Sequence, residues 1–328
     1  MNISLRNSLT VLLLAAASMG ALAESNKVVS PDGRLTVNVV DRDGRLYYDV
    51  LYDGKQMMLE SQLGVVANIG DFSQRLVYRS VSNRKIADDY TMRGTKTSAV
   101  SYRANQMSVV YVNEKKLPMT VTFNVSDNDI AFRYEFGNVN DRTHIIIDKE
   151  ATAFRLPTQT TTFLSPQSDP MIGWKRTKPS YEEEYTPDAP MTAKSKYGQG
   201  YTFPCLFHVG NDGWVLVSET GTHGNYPGCR LSDYSAEQGY SLVFPMTGEC
   251  DGRGAANAAF ALPGATPWRT ITVGSTLKPI VETTVSYDVV KPLYEASEQY
   301  KPGRYTWSWL IWQDNSANYN DQKQMVDL

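Results

Sequence analysis

Ser30-Pro31-Asp32-Gly33-Arg34-Leu35-Thr36-Val37-Asn38-Val39 is the stretch that decides the fold class. Pro and Gly punctuate a turn, and Leu35, Val37 and Val39 then alternate with Thr36 and Asn38. That period of two puts one face on a core and the other toward water, the signature of a half-buried strand. Asp43-Gly44 and Asp53-Gly54 follow as two hairpin signals around a strand over Leu46–Leu51. The pattern continues through Ala99–Arg103, Met107–Val112 and Met119–Val125. Ser126-Asp127-Asn128-Asp129 then turns the chain into Ile130–Phe136, with His144–Ile147 and Ala153–Leu156 beyond it. A later strand is expected over Trp214–Ser218. Short strands at this spacing, with turn residues between them and no convincing helical period, predict an antiparallel β-sandwich. Its extent, from residue 24 to about Tyr287, predicts a large sandwich with long loops.

One connection interrupts the pattern. Thr158 to Gly200 is rich in Pro, Ser, Thr, Lys and acidic residues, and a connection this long inside a compact domain is usually functional or disordered. It carries Trp174 and the cluster Tyr181-Glu182-Glu183-Glu184-Tyr185. On a strand Glu182 and Glu184 would point one way and Glu183 the other. The cluster reads either as a solvated acidic turn or as a source of hard oxygen ligands for Ca²⁺.

The two ends differ from the middle. Arg6, the apolar run Leu9–Ala17 and the small residues Ala21-Leu22-Ala23 read as a cleaved export signal over residues 1–23, implying a periplasmic or extracellular protein. That run is too short to span a bilayer, and no second one exists, so no membrane span is expected. Near the other end, Val290-Lys291-Pro292-Leu293 and Lys301-Pro302-Gly303 mark a linker. The Trp-dense run Arg304–Trp312 predicts a strand, Gln313–Asn320 a loop and Asp321–Leu328 a helix capped by Asn320. Residues 288–328 are thus expected to be a linker and the first βα unit of a larger α/β domain, cut short.

Without Arg6 the 32 basic residues become 31, against 35 acidic ones. That balance, with no Lys/Arg cluster, excludes a nucleic-acid partner. The three cysteines, Cys205, Cys229 and Cys250, sit in one segment of an exported chain. One disulfide is expected, with Cys205–Cys229 the chosen pair. Their spacing, and that of His208 and His223, does not make a zinc site.

Together these features resemble glycoside hydrolase family 97, calcium-dependent bacterial α-glucosidases and α-galactosidases. The resemblance rests on the Ser30–Gly33 hairpin, Tyr181-Glu182 with Tyr185, and Tyr201-Phe203-Pro204. It continues through Glu219 leading to Tyr226-Pro227-Gly228, Pro267-Trp268-Arg269, and Gly303-Arg304 before the Trp-rich run. It implies an N-terminal supersandwich packed on a catalytic (β/α)₈ barrel, an oligosaccharide substrate with a terminal α-linked glucose or galactose, and Ca²⁺ near the scissile sugar. By position the metal role falls to Glu182, with Glu183 and Glu184 as neighbouring candidates. Glu219, Trp312, Gln313 and Asp314 are the candidate substrate-binding residues. Cleavage of a glycosidic bond takes two flanking carboxylates, and the resemblance implies that these lie beyond Leu328, so no catalytic residue is assigned and the chain itself is expected to be inactive.

A second reading is a non-catalytic carbohydrate-binding sandwich, with Trp174, Tyr181, Trp307, Trp309 and Trp312 as stacking platforms. A third is a purely structural surface β-protein, disfavoured by an acidic loop that such a scaffold does not need.

Overall fold

In a computed structural model of the chain, the described residues are 25–92, 95–139, 142–168, 184–252, 256–294, 298, 301, 303–316 and 318–327. The proposed export signal, Trp174, Tyr181, Glu182 and Glu183 lie outside them. The chain divides into two compact units, Met1–Val290 and Lys291–Leu328.

The first unit is the expected antiparallel sandwich. It opens with a four-stranded meander, β1 (Ser25–Val29), β2 (Leu35–Arg42), β3 (Arg45–Tyr52) and β4 (Lys55–Leu63). Both hairpin turns place Asp and Gly at positive φ, Asp43 and Gly44 in one and Asp53 and Gly54 in the other. Two successive left-handed residues match the twist of the flanking strands, which is why Asp-Gly is selected there. Next come β5 (Val65–Ala67), β6 (Gly70–Asp71), β7 (Val77–Thr91), β8 (Ala99–Val112), β9 (Pro118–Val125) and β10 (Asp129–Phe136). β11 (His144–Glu150), β12 (Ala153–Phe154), β13 (Thr160–Phe163), β14 (Ala189–Pro190) and β15 (Tyr201–Thr202) follow. The series closes with β16 (Cys205–Val209), β17 (Gly213–Thr220), β18 (Arg230–Leu231), β19 (Tyr240–Val243), β20 (Ala258–Ala261), β21 (Gly264–Ala265) and β22 (Trp268–Gly274).

A ten-stranded sheet runs in the order β14-β13-β16-β17-β22-β10-β9-β8-β7, with β21 paired to β10. Two further four-stranded sheets, β20-β11-β5-β6 and β12-β19-β18-β15, share one hydrophobic core with it and with the meander. Alternation decides which side chains enter that core. Met107, Val109 and Tyr111 of β8 are buried in it, as are Val121, Phe123 and Val125 of β9 and Phe132 and Tyr134 of β10. Phe132 stacks on Phe123 with centroids 5.2 Å apart and meets Tyr48 at 5.3 Å. Full burial of one such ring contributes roughly 1.5–3 kcal/mol.

Thr158–Gly200 is less irregular than its composition predicts. Its flanks form the short pair β13–β14, and β13 extends the large sheet through β16. The expected disulfide is not formed: Cys205 and Cys229 are both free thiols. Cys205 sits in the core and donates to the Thr202 carbonyl at 3.2 Å, whereas Cys229 lies beside a buried arginine. Burial pushes both thiols up, which leaves them unreactive.

After β22, helix α1 (Glu249–Gly252) having preceded it, two short helices close the unit: α2 (Leu277–Glu282) and α3 (Val285–Val289). Asp129 pins them to the sheet, its Oδ1 accepting from Thr272 at 2.5 Å and from Thr283 at 2.7 Å. Burial raises the Asp129 carboxyl to about 6, the two threonine hydroxyls oppose that, and the charge of Asp288 adds to it. The folded value thus lies above the unfolded one, so the native state binds this proton more tightly. The resulting penalty is absent below pH 4, grows as pH rises through 6, and reaches about 3 kcal/mol at pH 7. Asp129→Asn keeps the carbonyl oxygen that both threonines use. It is expected to raise the urea midpoint at pH 7.5 and to raise it far less at pH 4.5. Equal effects at the two pH values would refute a titrating, half-buried Asp129.

In the second unit the run Tyr305–Trp312 is not the expected strand. Residues 303–307 are irregular, α4 (Trp309–Trp312) is a helical turn, and Gln313–Ser316 form a 3₁₀ turn. A strand leaves its backbone groups open without a neighbour, and a helical turn satisfies them locally. The Ile311 and Trp312 amides both donate to the Ser308 carbonyl, at 3.0 and 3.1 Å. Helix α5 (Tyr319–Asp327) begins earlier than predicted, because Asn318 rather than Asn320 accepts from the Asp321 amide, at 3.0 Å.

Candidate functional site

Three of the motif fragments converge on one buried cluster. β22 carries Arg269, β17 carries Glu219 directly across the ladder from it, and the loop after β17 carries Tyr226. The last residue of β11 is Glu150. Arg269 is fully buried and Glu150 is 2% exposed. A lone buried charge is costly, so each must be matched.

The matching is geometric. Arg269 donates through Nε to Glu150 Oε1 at 3.0 Å and through Nη2 to Glu150 Oε2 at 2.7 Å. That is the two-pronged fit of a planar guanidinium to a carboxylate. Its Nη1 donates to Glu219 Oε2. The other Glu219 oxygen accepts from the Cys229 amide at 2.7 Å. Glu150 also accepts from the Tyr226 hydroxyl at 2.9 Å and from Thr152 at 2.8 Å. Because the Thr152 proton points at Glu150, the Tyr134 hydroxyl 2.8 Å away must donate to Thr152 Oγ1. Tyr134 in turn accepts from the Gly64 amide at 3.0 Å. The chain of protons therefore runs one way, from Gly64 through Tyr134 and Thr152 to Glu150, and each link polarises the next.

Two carboxylates share one guanidinium, and the protonation equilibria reflect it. Burial raises the Glu219 carboxyl, with the Arg269 charge and the Cys229 amide pulling the other way. Burial alone would lower Arg269, but the Glu150 charge holds its proton far above the ordinary range. Burial and the Glu150 charge both push the Tyr226 hydroxyl up. The cluster is a clamp: it joins β11, β17 and β22 and fixes the loop from Tyr226 to Cys229.

Glu219, a candidate substrate-binding residue, thus has both oxygens engaged and its side chain is 10% exposed. Of the acidic trio only Glu184 is described. It is exposed and lines a cavity of about 400 Å³ with Tyr185, Lys194, Lys196 and Tyr201. Among the described residues no three His, Cys, Asp or Glu side chains gather as a metal site. One carboxylate beside two lysines does not fit a shell of six to eight oxygens. Trp312, Gln313 and Asp314 belong to the second unit. Trp312 is half-buried at the end of α4, Gln313 is exposed with φ of 48°, and Asp314 lies in the 3₁₀ turn. Trp307 and Trp309 stack with centroids 6.0 Å apart. The sequence reading missed Glu150, Thr152 and Tyr134. The strand expected over His144–Ile147 ends three residues short of Glu150, and a charged residue at a strand end normally reads as solvent-facing. No helix of the described residues is long and apolar enough to cross a membrane.

Comparison with known proteins gives consistent results. Residues 28–292 match the family model described as Glycosyl-hydrolase 97 N-terminal. A retaining alpha-galactosidase of Bacteroides thetaiotaomicron is 23% identical across 93% of this chain and 47% of its own length. The crystal structure of a beta-arabinopyranosidase superposes with a TM-score of 0.87 and 54% identity, over 92% of this chain and 48% of that one. A family 97 enzyme from Pseudoalteromonas sp. strain K8, solved with panose, superposes with a TM-score of 0.66 at 20% identity, over 81% of this chain and 38% of that one, and shares the fold. The chain spans about half the length of the first two relatives.

Proposed function

Because this chain belongs to glycoside hydrolase family 97 through the domain at residues 28–292, we propose that it is the N-terminal part of an exported hydrolase of terminal β-L-arabinopyranosyl and α-D-galactopyranosyl residues. The observation that carries the reading is the 54% identity to a beta-arabinopyranosidase across 92% of the chain. The two sugars are stereochemically close. β-L-Arabinopyranose has the ring hydroxyl pattern of α-D-galactopyranose and lacks its C5 hydroxymethyl group, so one pocket accommodates both linkages. The α-glucoside has the opposite configuration at C4.

In this proposal the sandwich positions rather than cleaves. Glycoside hydrolysis uses two carboxylates facing the bond, one to protonate the leaving oxygen and one to assist from the opposite side. Glu150 and Glu219 are not that pair, since both are committed to Arg269 in the interior. The acid and its partner are placed outside the described residues. The role derived for the described ones is to hold the Tyr226–Cys229 loop rigid, because a binding wall that shifts by an ångström loses much of its effect.

Calcium enters as a family expectation. Glu182, Glu183 or Glu184 would supply one oxygen ligand, and the described donor set does not complete a site. Export rests on residues 1–23, and mass spectrometry of the secreted protein should find Glu24 as its first residue.

The test is a comparison of kcat/KM for the full-length protein on p-nitrophenyl β-L-arabinopyranoside, α-D-galactopyranoside and α-D-glucopyranoside, with and without a chelator. The arabinopyranoside is expected to lead, with the extra hydroxymethyl group costing roughly 10–200-fold, and the chelator is expected to lower all rates. Fastest turnover of the α-glucoside would sink the assignment.

A further inference from the structure

The large sheet has a second face. Alternation that sends Met107, Phe123 and Phe132 into the core sends Gln106, Ser108, Thr122, Asn124, Arg133 and Glu135 to the opposite side. These residues are polar, yet several are covered: Gln106, Thr122 and Asn124 are all buried. The cover comes from α3, which packs Val285 and Val289 on Ala131 and Trp268, and from the side chains of β7. A cavity of about 330 Å³ remains between them.

Its lining is chemically mixed. Ile86, Tyr102, Trp268 and Val289 supply apolar surface. The polar floor is internally bonded, Gln106 donating to Asn124 at 2.7 Å and Ser108 sharing a proton with Thr122 at 3.0 Å. Capacity is left over. Among the described residues Arg133 uses Nε and Nη2 on Glu135 Oε1 and lies 4.2 Å over the Trp268 ring, leaving Nη1 to donate. Arg84 bonds Gln106 through Nε alone among the described residues, so its terminal N–H groups are available. Among the described residues Glu135 Oε2 is available to accept, and one of the Ser108 and Thr122 hydroxyls retains a proton to give. Charge is balanced, with two guanidinium groups against Glu135 and Asp288.

We propose that this concavity is a carbohydrate-binding site for a single neutral pyranose unit. Each sugar hydroxyl both donates and accepts, which matches alternating spare donors and acceptors, and the C–H surface of the ring matches the apolar wall. An anion would meet two carboxylates and a cation two guanidinium groups. The volume sits at the lower end of ligand pockets, roughly 300–1,000 Å³, which suits one ring and not a chain. The inference rests on the face of the sheet and not on the activity proposed above.

The experiment is calorimetric titration of the full-length protein with L-arabinose, D-galactose, D-glucose and inorganic phosphate. At least one sugar should bind saturably in the millimolar range. Ser108→Phe, which fills the cavity, should weaken that binding about tenfold or more, with the rate of glycoside hydrolysis unchanged. Should Ser108→Phe fail to fold, Arg84→Met on the exposed strand β7 reads the same site through loss of its donors, with an expected weakening of about threefold. Absence of binding by all three sugars, sugar binding unaffected by the variants that fold, or preference for phosphate would each overturn the proposal.

Discussion

Arg269→Met is expected to destabilise the sandwich by about 3–5 kcal/mol, the usual consequence of removing one partner from a buried ion pair. Methionine approximates the length of the side chain but leaves Glu150 and Glu219 facing each other in the interior. Four hydrogen bonds converge on Glu150, two from Arg269 and one each from Tyr226 and Thr152, and a further bond from Tyr134 to Thr152 orients the last of them. The prediction has an internal control. Adding Glu150→Gln to Arg269→Met removes one orphaned charge and should restore part of the loss, so that the double variant melts above the single one. A double variant no more stable than Arg269→Met alone would mean that the lost packing, not the stranded carboxylate, sets the cost. The same single variant should become more stable on acidification, since an uncompensated buried carboxylate takes up a proton.

Gly200→Ala is the second change with a large expected effect. Gly200 has φ of 83°, a region that costs an L-residue roughly 1–2 kcal/mol. A Cβ there would sit 1.9 Å from the Leu231 carbonyl oxygen. Backbone, unlike the end of a long side chain, cannot swing aside, so β15 and β18 would have to separate. Overpacking of that kind costs typically 1–3 kcal/mol more, for a total of about 2–5 kcal/mol. Gly198→Ala, two residues earlier, also has positive φ but meets nothing within 4 Å. Its penalty should be confined to the backbone. Urea midpoints of the two variants separate the terms, and equal losses would rule out the clash as the larger cause.

How far these features were legible in the sequence depends on their range. Turns are local, and Asp43-Gly44 and Asp53-Gly54 closed the two-residue hairpins they signal. Strands with one wet face were equally plain, because burial imprints a period of two. β7 carries no such imprint: most of Val77–Thr91 is exposed, so its order comes from fourteen-residue pairing with β8 rather than from a hydrophobic pattern. The Trp-rich run failed for the opposite reason. Aromatic density favours a strand only where a neighbouring strand exists to pair with it. The Arg269 clamp was hidden by distance along the chain, since Glu150 lies 119 residues away and Glu219 lies 50 away. Resemblance singled out Glu219, Tyr226 and Arg269 one by one, but only the fold brought them into contact with each other and with Glu150.

The position of β22 sets the order in which the molecule can be assembled. This strand lies in the interior of the ten-stranded sheet, between β10 and β17, yet among the described strands of the sandwich it is the last to leave the ribosome. Until Trp268–Gly274 emerges, β10 and β17 are two open edges with no strand between them, and the clamp lacks its arginine. Emergence of one segment therefore closes the sheet and neutralises the buried carboxylates at the same moment. Nascent chains that stop short of residue 274 are the ones that would need a chaperone on those edges, since unpaired strands pair with whatever strand is nearest.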